Sequence, residues 1–269
     1  MELGIENKVI IITGATIESP KAPSGGIGAE TARLLIEEGA RVVLGDIDDA
    51  RGQALADQLC AQGGEAVFAH TDVTREADVA GLVDAALEAF GTVDGLVTAA
   101  GCRAATGTAR DFPNIKLEDW RFMMDAHLTG TFLCIQEVAR RAMIPNRSGH
   151  IVTISSNAGH GRSGAHPYGV SMAAISYLTK GVAAKLGPYG IYANCVSPGP
   201  VLTPIWEYEK MTPDEIEALE TRLRDHYMVR TDRLGTGRDI ARVIVLMLSD
   251  VSRQITAADI NATAGVEVY

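Results

Sequence analysis

The chain has 269 residues, 34 Asp and Glu against 24 Lys and Arg for a formal net charge of -10, and 46% hydrophobic residues. That length can bury a large core, and α/β folds of this size commonly form one domain. The acidic balance argues against nucleic acid and anionic membrane partners, which want a basic face, and no apolar run approaches the roughly 20 residues needed to span a bilayer.

The first predicted element is a strand at Val9-Ile10-Ile11-Ile12, apolar and β-branched as a strand covered on both faces requires, and Thr13-Gly14 breaks it. Gly26-Ile27-Gly28 then opens a helix whose apolar face is Ala32, Leu35 and Ile36, and Gly39 stops it. The next strand, Arg41 to Leu44, finishes at Gly45-Asp46, with Ile47 beside the acid. After it come helix 49 to 62, strand Ala66 to Ala69, helix 75 to 90 and strand Val93 to Thr98. Helix 116 to 125 leads into a long helix from about 127 to 143, followed by strand His150 to Ser155, helix 167 to 186 and strand Tyr192 to Val196. A last helix, 237 to 248, precedes strand Ile255 to Asn261. Such alternation is the signature of a doubly wound parallel sheet with helices on both faces, in one domain over 1–269.

Residues 200 to 234 are the one long excursion, and long ordered excursions are often lids. Thr212-Pro213-Asp214-Glu215 is a capping box there, followed by Ile216, Leu219 and Leu223 on one helix face. Trp206, Tyr208, Met211, Tyr227 and Met228 add more large apolar groups than a solvated loop needs. Either a medium-sized apolar substrate or packing of the lid onto its own sheet or a neighbouring subunit explains them.

The opening unit carries the first chemistry. Glycine at 14, 26 and 28 lets backbone approach a pyrophosphate, which rests on unpaired N–H groups at the helix start. The Asp46 carboxylate suits an adenosine ribose diol and repels a 2'-phosphate, so NAD is expected rather than NADP. Eleven residues separate Gly14 from Gly26, and the stretch Ile17 to Ser24 with its two prolines is stiff and extended. It is either a surface bulge or a flap that brings Lys21 to phosphate.

Cys60, Cys102, Cys134 and Cys195 are scattered, so reduced and mostly buried thiols are expected. The histidines show no metal-ligand spacing, and His160 and His166 fall in a glycine-rich loop expected to be solvated. With Met1-Glu2-Leu3-Gly4 lacking a basic signal-like start, the expected location is cytoplasmic.

Taken together, Thr13-Gly14 with Gly26-Ile27-Gly28, Asp72-Val73, Ala100-Gly101, Ile154-Ser155-Ser156, Tyr168 and Asn194 to Gly199 resemble the short-chain dehydrogenase/reductase family over nearly the whole chain. The resemblance implies a seven-stranded Rossmann sheet, an NAD(P) cofactor, and a homotetramer or homodimer built on the helices after residues 115 and 167. It implies that Asp72 and Val73 hold the adenine and that Ala100 and Gly101 run beneath the ribose. Pro198, Gly199, Val201 and Thr203 match the motif that holds the nicotinamide carboxamide.

Family chemistry uses a serine, a tyrosine and a lysine four residues after it, with an asparagine completing a proton relay. Ser156 matches the serine, with Ser155 as its alternative, and Tyr168 matches the acid/base. Met172 stands at the lysine position and His127 at the asparagine position. Thr98-Ala99 replaces a pair of asparagines, and Ala257 replaces a glycine. Enoyl reductases of the superfamily also lengthen the first turn but need a lysine seven residues after the tyrosine, where this chain has Ile175.

Positions 168 and 172 share a helix face, so the family's ammonium would sit beside the phenol. A free tyrosine titrates near pH 10 and a nearby cation lowers that. Losing two or three units of such a shift slows alcohol oxidation at neutral pH by roughly 100- to 1000-fold, whereas ketone reduction needs only a phenol that already holds its proton. His127 either delivers protons or partly replaces the charge, or it only caps or packs its helix. The expected function is NAD(H)-dependent interconversion of a secondary alcohol and a ketone on a medium-sized apolar substrate, without metal. Non-redox chemistry of lyase, isomerase or dehalogenase type with Ser156 and Tyr168, or NAD binding without catalysis, are the alternatives.

Overall fold

A computed structural model describes residues 2–16, 19, 21–101, 112–161, 166–227 and 233–266. The first half runs β1 (Val9–Thr13), α1 (Ile27–Glu37), β2 (Arg41–Asp46), α2 (Asp49–Ala61), β3 (Glu65–His70), α3 (Glu76–Phe90) and β4 (Gly95–Thr98). One continuous helical run follows, made of α4 (Leu117–Met124), a π-helical turn (Asp125–Thr129), α5 (Gly130–Val138), a second π turn (Ala139–Met143) and α6 (Ile144–Asn146). Then come β5 (Gly149–Ile154), α7 (Pro167–Leu186), β6 (Ile191–Pro198), β7 (Val201–Leu202), α8 (Pro213–Tyr227), β8 (Gly235–Thr236), α9 (Gly237–Leu248) and β9 (Asp259–Ala262).

Seven strands form one parallel sheet in the order β3-β2-β1-β4-β5-β6-β9. The pleat sends alternate residues to opposite faces, and both faces are covered. Val9 and Ile11 enter a core with Val79, Leu82 and Val83 of α3 and Ile135 and Val138 of α5. Ile10 and Ile12 enter the other, with Leu35 of α1 and Ile240, Ile244 and Val245 of α9. This is the expected single-domain Rossmann fold. Strand order reverses between β1 and β4, and in open α/β sheets the binding crevice lies beyond the carboxyl ends at such a switch point.

Two expectations are corrected. The helices expected at 116–125 and 127–143 are one run, because the residues joining them stay in the right-handed helical region and the extra residue is absorbed by a π turn. The last strand was expected from Ile255 but begins at Asp259, since Ala257 adopts a left-handed φ of 61° and its N–H donates to the Ala193 carbonyl. That conformation is the reason glycine suits position 257. The described cysteines are free and mostly buried, as expected: Cys60 is exposed, while Cys134 and Cys195 are buried, where desolvation pushes both thiols up to about 12; Cys102 lies outside the described residues.

Between β7 and β8, which pair in parallel, α8 is opened by Thr212 and Glu215, whose side chains exchange bonds with each other's backbone N–H. Leu219 and Leu223 of α8 bury against Leu202, Tyr208 and Leu234, with Trp206, Met211 and Ala22 packed on them. Among the described residues no helix is long and apolar enough to cross a membrane.

Candidate active site

The glycine turn is built by close approach. A Cβ on Gly14, whose φ is +71°, would lie 2.5 Å from Ala100 Cα, and one on Gly28 would lie 2.3 Å from the Gly14 carbonyl oxygen. Side chains at either place would separate β1, α1 and the turn after β4. Gly26 is the extended residue before α1 and Ile27 is its first residue. Asp46 ends β2, and its carboxylate accepts from the Thr16 N–H at 3.3 Å and the Asp48 N–H at 3.1 Å, which fix its orientation; Ile47 is exposed beside it.

The Asp72 carboxylate accepts from both the backbone N–H and the hydroxyl of Thr74, which hold it below the usual carboxylate range. One of its oxygens is therefore committed to Thr74, in the turn before α3, and Val73 is buried against Gly130. Ala100 donates its N–H to the Thr13 hydroxyl at 3.4 Å, and Gly101 is exposed at the mouth of the turn. Pro198 ends β6; a Cβ on Gly199 would meet Thr263 Cα at 2.9 Å, and Thr203 is buried just beyond Val201. Residues from five strand ends thus line one carboxyl edge, with a Cβ-free turn and one carboxylate at its centre. That donor set fits an adenine dinucleotide, with the glycine turn against its phosphates and Asp46 on its ribose.

The stretch before Gly26 reaches the excursion between β7 and β8. Lys21 Nζ donates to the Met211 carbonyl at 3.4 Å, and Ser24 Oγ donates to the Leu202 carbonyl at 2.9 Å while accepting the Gly237 N–H at 2.8 Å. Ile17, Glu18 and Pro20 lie outside the described residues.

At the far end, Ser155 is buried and donates to the Met172 carbonyl at 2.8 Å, so it ties β5 to α7. Ser156 is half-buried and accepts from the Ala158 N–H at 3.2 Å, at the start of the turn that follows β5. Of the two serines, Ser156 is the one left partly exposed. Tyr168 stands in the first turn of α7, its ring edge-on to His127 with centroids 5.5 Å apart, and stacked at 6.1 Å on His166. His127 is 3% exposed and sits on the π turn. Met172 is also 3% exposed, clustered with Ile175 and Cys195 and with Leu128 and Tyr168 packed on them. The lysine position is thus filled by apolar contact.

Several polar residues around this end escaped the sequence reading. Ser171 lies between Tyr168 and His127, and its i+3 spacing from Tyr168 was the available signal. His160, expected in a solvated loop, instead bonds the Asp259 carboxylate at 3.2 Å, where Ser176 and Ser197 hydroxyls also donate, each at 2.5 Å. His166 likewise packs on Tyr168. Nothing in the spacing of residues 160, 176, 197 and 259 announces that cluster.

A doubly wound sheet with a glycine turn at its switch point and an acid ending its second strand defines a dinucleotide-binding oxidoreductase. A family profile described as enoyl-(acyl carrier protein) reductase matches residues 22–267. The chain is 33% identical to the (2S)-[(R)-hydroxy(phenyl)methyl]succinyl-CoA dehydrogenase subunit BbsD of Thauera aromatica over 99% of both chains. It is 34% identical to a mitochondrial borneol dehydrogenase of Lavandula x intermedia, over 98% of this chain and 92% of that one. Among solved structures, a 3-oxoacyl-[acyl-carrier protein] reductase with bound NAD from Brucella melitensis superposes with a TM-score of 0.82 at 27% identity, covering 100% of this chain and 95% of that chain. The chain belongs to the short-chain dehydrogenase/reductase family, with the NAD(P)-linked redox character that membership carries.

Proposed function

We propose that the protein is an NAD(H)-dependent oxidoreductase that interconverts a secondary alcohol and a ketone on a medium-sized apolar substrate. The observation that carries this reading is Tyr168 held against the His127 imidazole, with apolar Met172 where an ammonium would sit. A bound nicotinamide supplies or accepts the hydride. Ser156 orients and polarises the carbonyl by hydrogen bonding, and Tyr168 donates the proton to its oxygen in the reductive direction. His127 carries protons between that phenol and solvent. Because Met172 brings no ammonium to favour the phenolate, ketone reduction is the stronger direction at neutral pH.

Asp46 supports NAD over NADP, since a 2'-phosphate would meet its carboxylate. An alcohol or ketone substrate agrees with the relatives named as dehydrogenases of borneol and of a phenyl-bearing succinyl-CoA. Residues 200 to 234 serve as the substrate lid, although Trp206, Tyr208 and Met211 pack within it and do not themselves argue for an apolar ligand. Exposed Leu117, Phe122, Phe132 and Tyr177, on the helices after residues 115 and 167, support a homotetramer or homodimer.

Oxidation of NADH across a panel of alicyclic and aromatic ketones tests the reading, with Tyr168→Phe as control. Turnover lost in that variant, with NADH binding kept, is the expected result. Full conversion with the dinucleotide omitted would overturn it in favour of elimination or isomerisation.

A further inference from the structure

We infer that Ser171 holds the His127 imidazole with its proton on Nδ1, so that Nε2, facing the Gly101 turn, is the basic nitrogen. A serine hydroxyl has one hydrogen and two lone pairs, while a carbonyl oxygen only accepts. Ser171 Oγ lies 2.8 Å from the Tyr168 carbonyl oxygen, so its hydrogen points there. The same Oγ is 3.3 Å from His127 Nδ1 and has only lone pairs left to offer, which makes Nδ1 the donor. With the opposite assignment two lone-pair-bearing oxygens would face each other at 2.8 Å.

A neutral imidazole carries one N–H, so the proton on Nδ1 places the acceptor at Nε2. Ser171 and His127 are both buried, and water does not compete for either bond. On the other side, a Cβ at Gly101 would lie 2.8 Å from His127 Nε2 and Cδ2, which puts the basic nitrogen against the turn that runs under the dinucleotide crevice. The ring is carried there by the π turn, and such turns recur at functional sites. Ser171 is a positioning residue, acting through His127. In the oxidative direction Nε2 can take up a proton delivered from Tyr168, and in the reductive direction it returns one.

The tautomer itself does not depend on the proposed function; its kinetic consequence does. The full-length protein labelled with 15N-histidine, examined by long-range proton–nitrogen correlation above the usual imidazole pKa near 6.5, reads it directly. The His127 signals are assigned by their loss in His127→Asn. The expected pattern is a protonated Nδ1 and an unprotonated Nε2; the reverse would overturn the inference.

Ser171→Ala should mix the two tautomers and lower kcat roughly tenfold, the population ratio that one net hydrogen bond sustains, with NADH affinity unchanged. Ser171→Thr should restore the Nδ1 proton. In a His127→Asn background, Ser171→Ala should change kcat less than about twofold; an equal loss in both backgrounds would assign Ser171 a packing role only. If no ketone or alcohol is turned over yet the Nδ1 proton is found, the proposed function fails and this inference stands.

Discussion

Met172→Lys puts the missing charge back and separates its two costs. Met172 is 3% exposed, and of its neighbours Ile175 and Leu128 offer an ammonium no hydrogen bond while the Cys195 sulfur is only a weak acceptor. The effective penalty for burying an ion is several kcal/mol, reduced here because the Asp259 charge is felt at the neighbouring Cys195. A net loss of about 2–4 kcal/mol is expected, and each kcal/mol lowers Tm by about 2–4 °C for a chain of this size. In exchange, the cation favours the Tyr168 phenolate. Lowering a tyrosine by two to three units from about 10 raises its ionised fraction at pH 7 by roughly 90- to 500-fold. Alcohol oxidation with NAD should rise by that order at neutral pH, and its pH profile should shift to lower pH by the same two to three units. Ketone reduction should change by less than about tenfold, since the neutral phenol already holds its proton. Initial rates in both directions from neutral to about pH 10, with NADH binding and thermal melting as controls, measure all three effects. A folded, NADH-binding variant whose oxidation rate and pH profile match the parent would refute the reasoning.

Gly28→Ala places a Cβ 2.3 Å from the Gly14 carbonyl oxygen, which is backbone and cannot rotate away. NADH affinity, followed by fluorescence, should fall at least tenfold, with about 1–3 kcal/mol of stability lost; unchanged binding would remove the glycine turn from the cofactor site. Tyr208 is 0% exposed, its hydroxyl has no hydrogen-bond partner among the described residues, and burial together with Glu220 pushes it up to about 12. Tyr208→Phe removes an unsatisfied group, so Tm should hold or rise by about 1 kcal/mol equivalent, and a clear fall would reveal a partner for that hydroxyl. Asp239 closes the capping box of α9 with Thr236 and pairs with Arg233, which holds its carboxyl well below the usual range. Its folded pKa is depressed, so its contribution is full above the unfolded value near 3.9 and fades as pH falls below it. Asp239→Asn should therefore cost about 1 kcal/mol in urea unfolding at neutral pH, and a gap between the two proteins that failed to narrow below pH ~4 would refute the assignment.

Much of the fold was legible because buried parallel strands and amphipathic helices leave strong local patterns. Val9 to Ile12 could be nothing else once Thr13-Gly14 ended it, and the strand–helix alternation carried the topology with it. Boundaries failed where a local pattern met a tertiary demand. Ile255 to Ala258 is apolar enough for a strand, yet it bends where the Ala257 N–H donates to the Ala193 carbonyl and the Ala258 N–H to the Asn194 side-chain oxygen. The helix break expected near 126 vanished because a π turn lengthens the helix without breaking it.

The candidate site divides the same way. The places of Gly14, Gly28 and Asp46 in the turn and at the strand end were readable because they follow from residue type within a short window. His127 and Met172 were readable only as departures from a pattern. The lid aromatics show the limit: their abundance was plain, but their burial against Leu219, Leu223 and Ala22 depends on which surface α8 meets.

By itself the sequence determined the sheet, its covering helices, the glycine turn and the identity of the groups available for chemistry, since each follows from side-chain volume, branching or charge within a short window. Only the tertiary structure decided which of two adjacent serines ties β5 to α7, that Lys21 and Ser24 meet the excursion between β7 and β8, that His160 reaches Asp259, and that Ser171 stands between Tyr168 and His127. Those are hydrogen bonds between atoms mostly far apart along the chain. Their directions are set by packing, and local sequence carries no record of where a distant partner will lie.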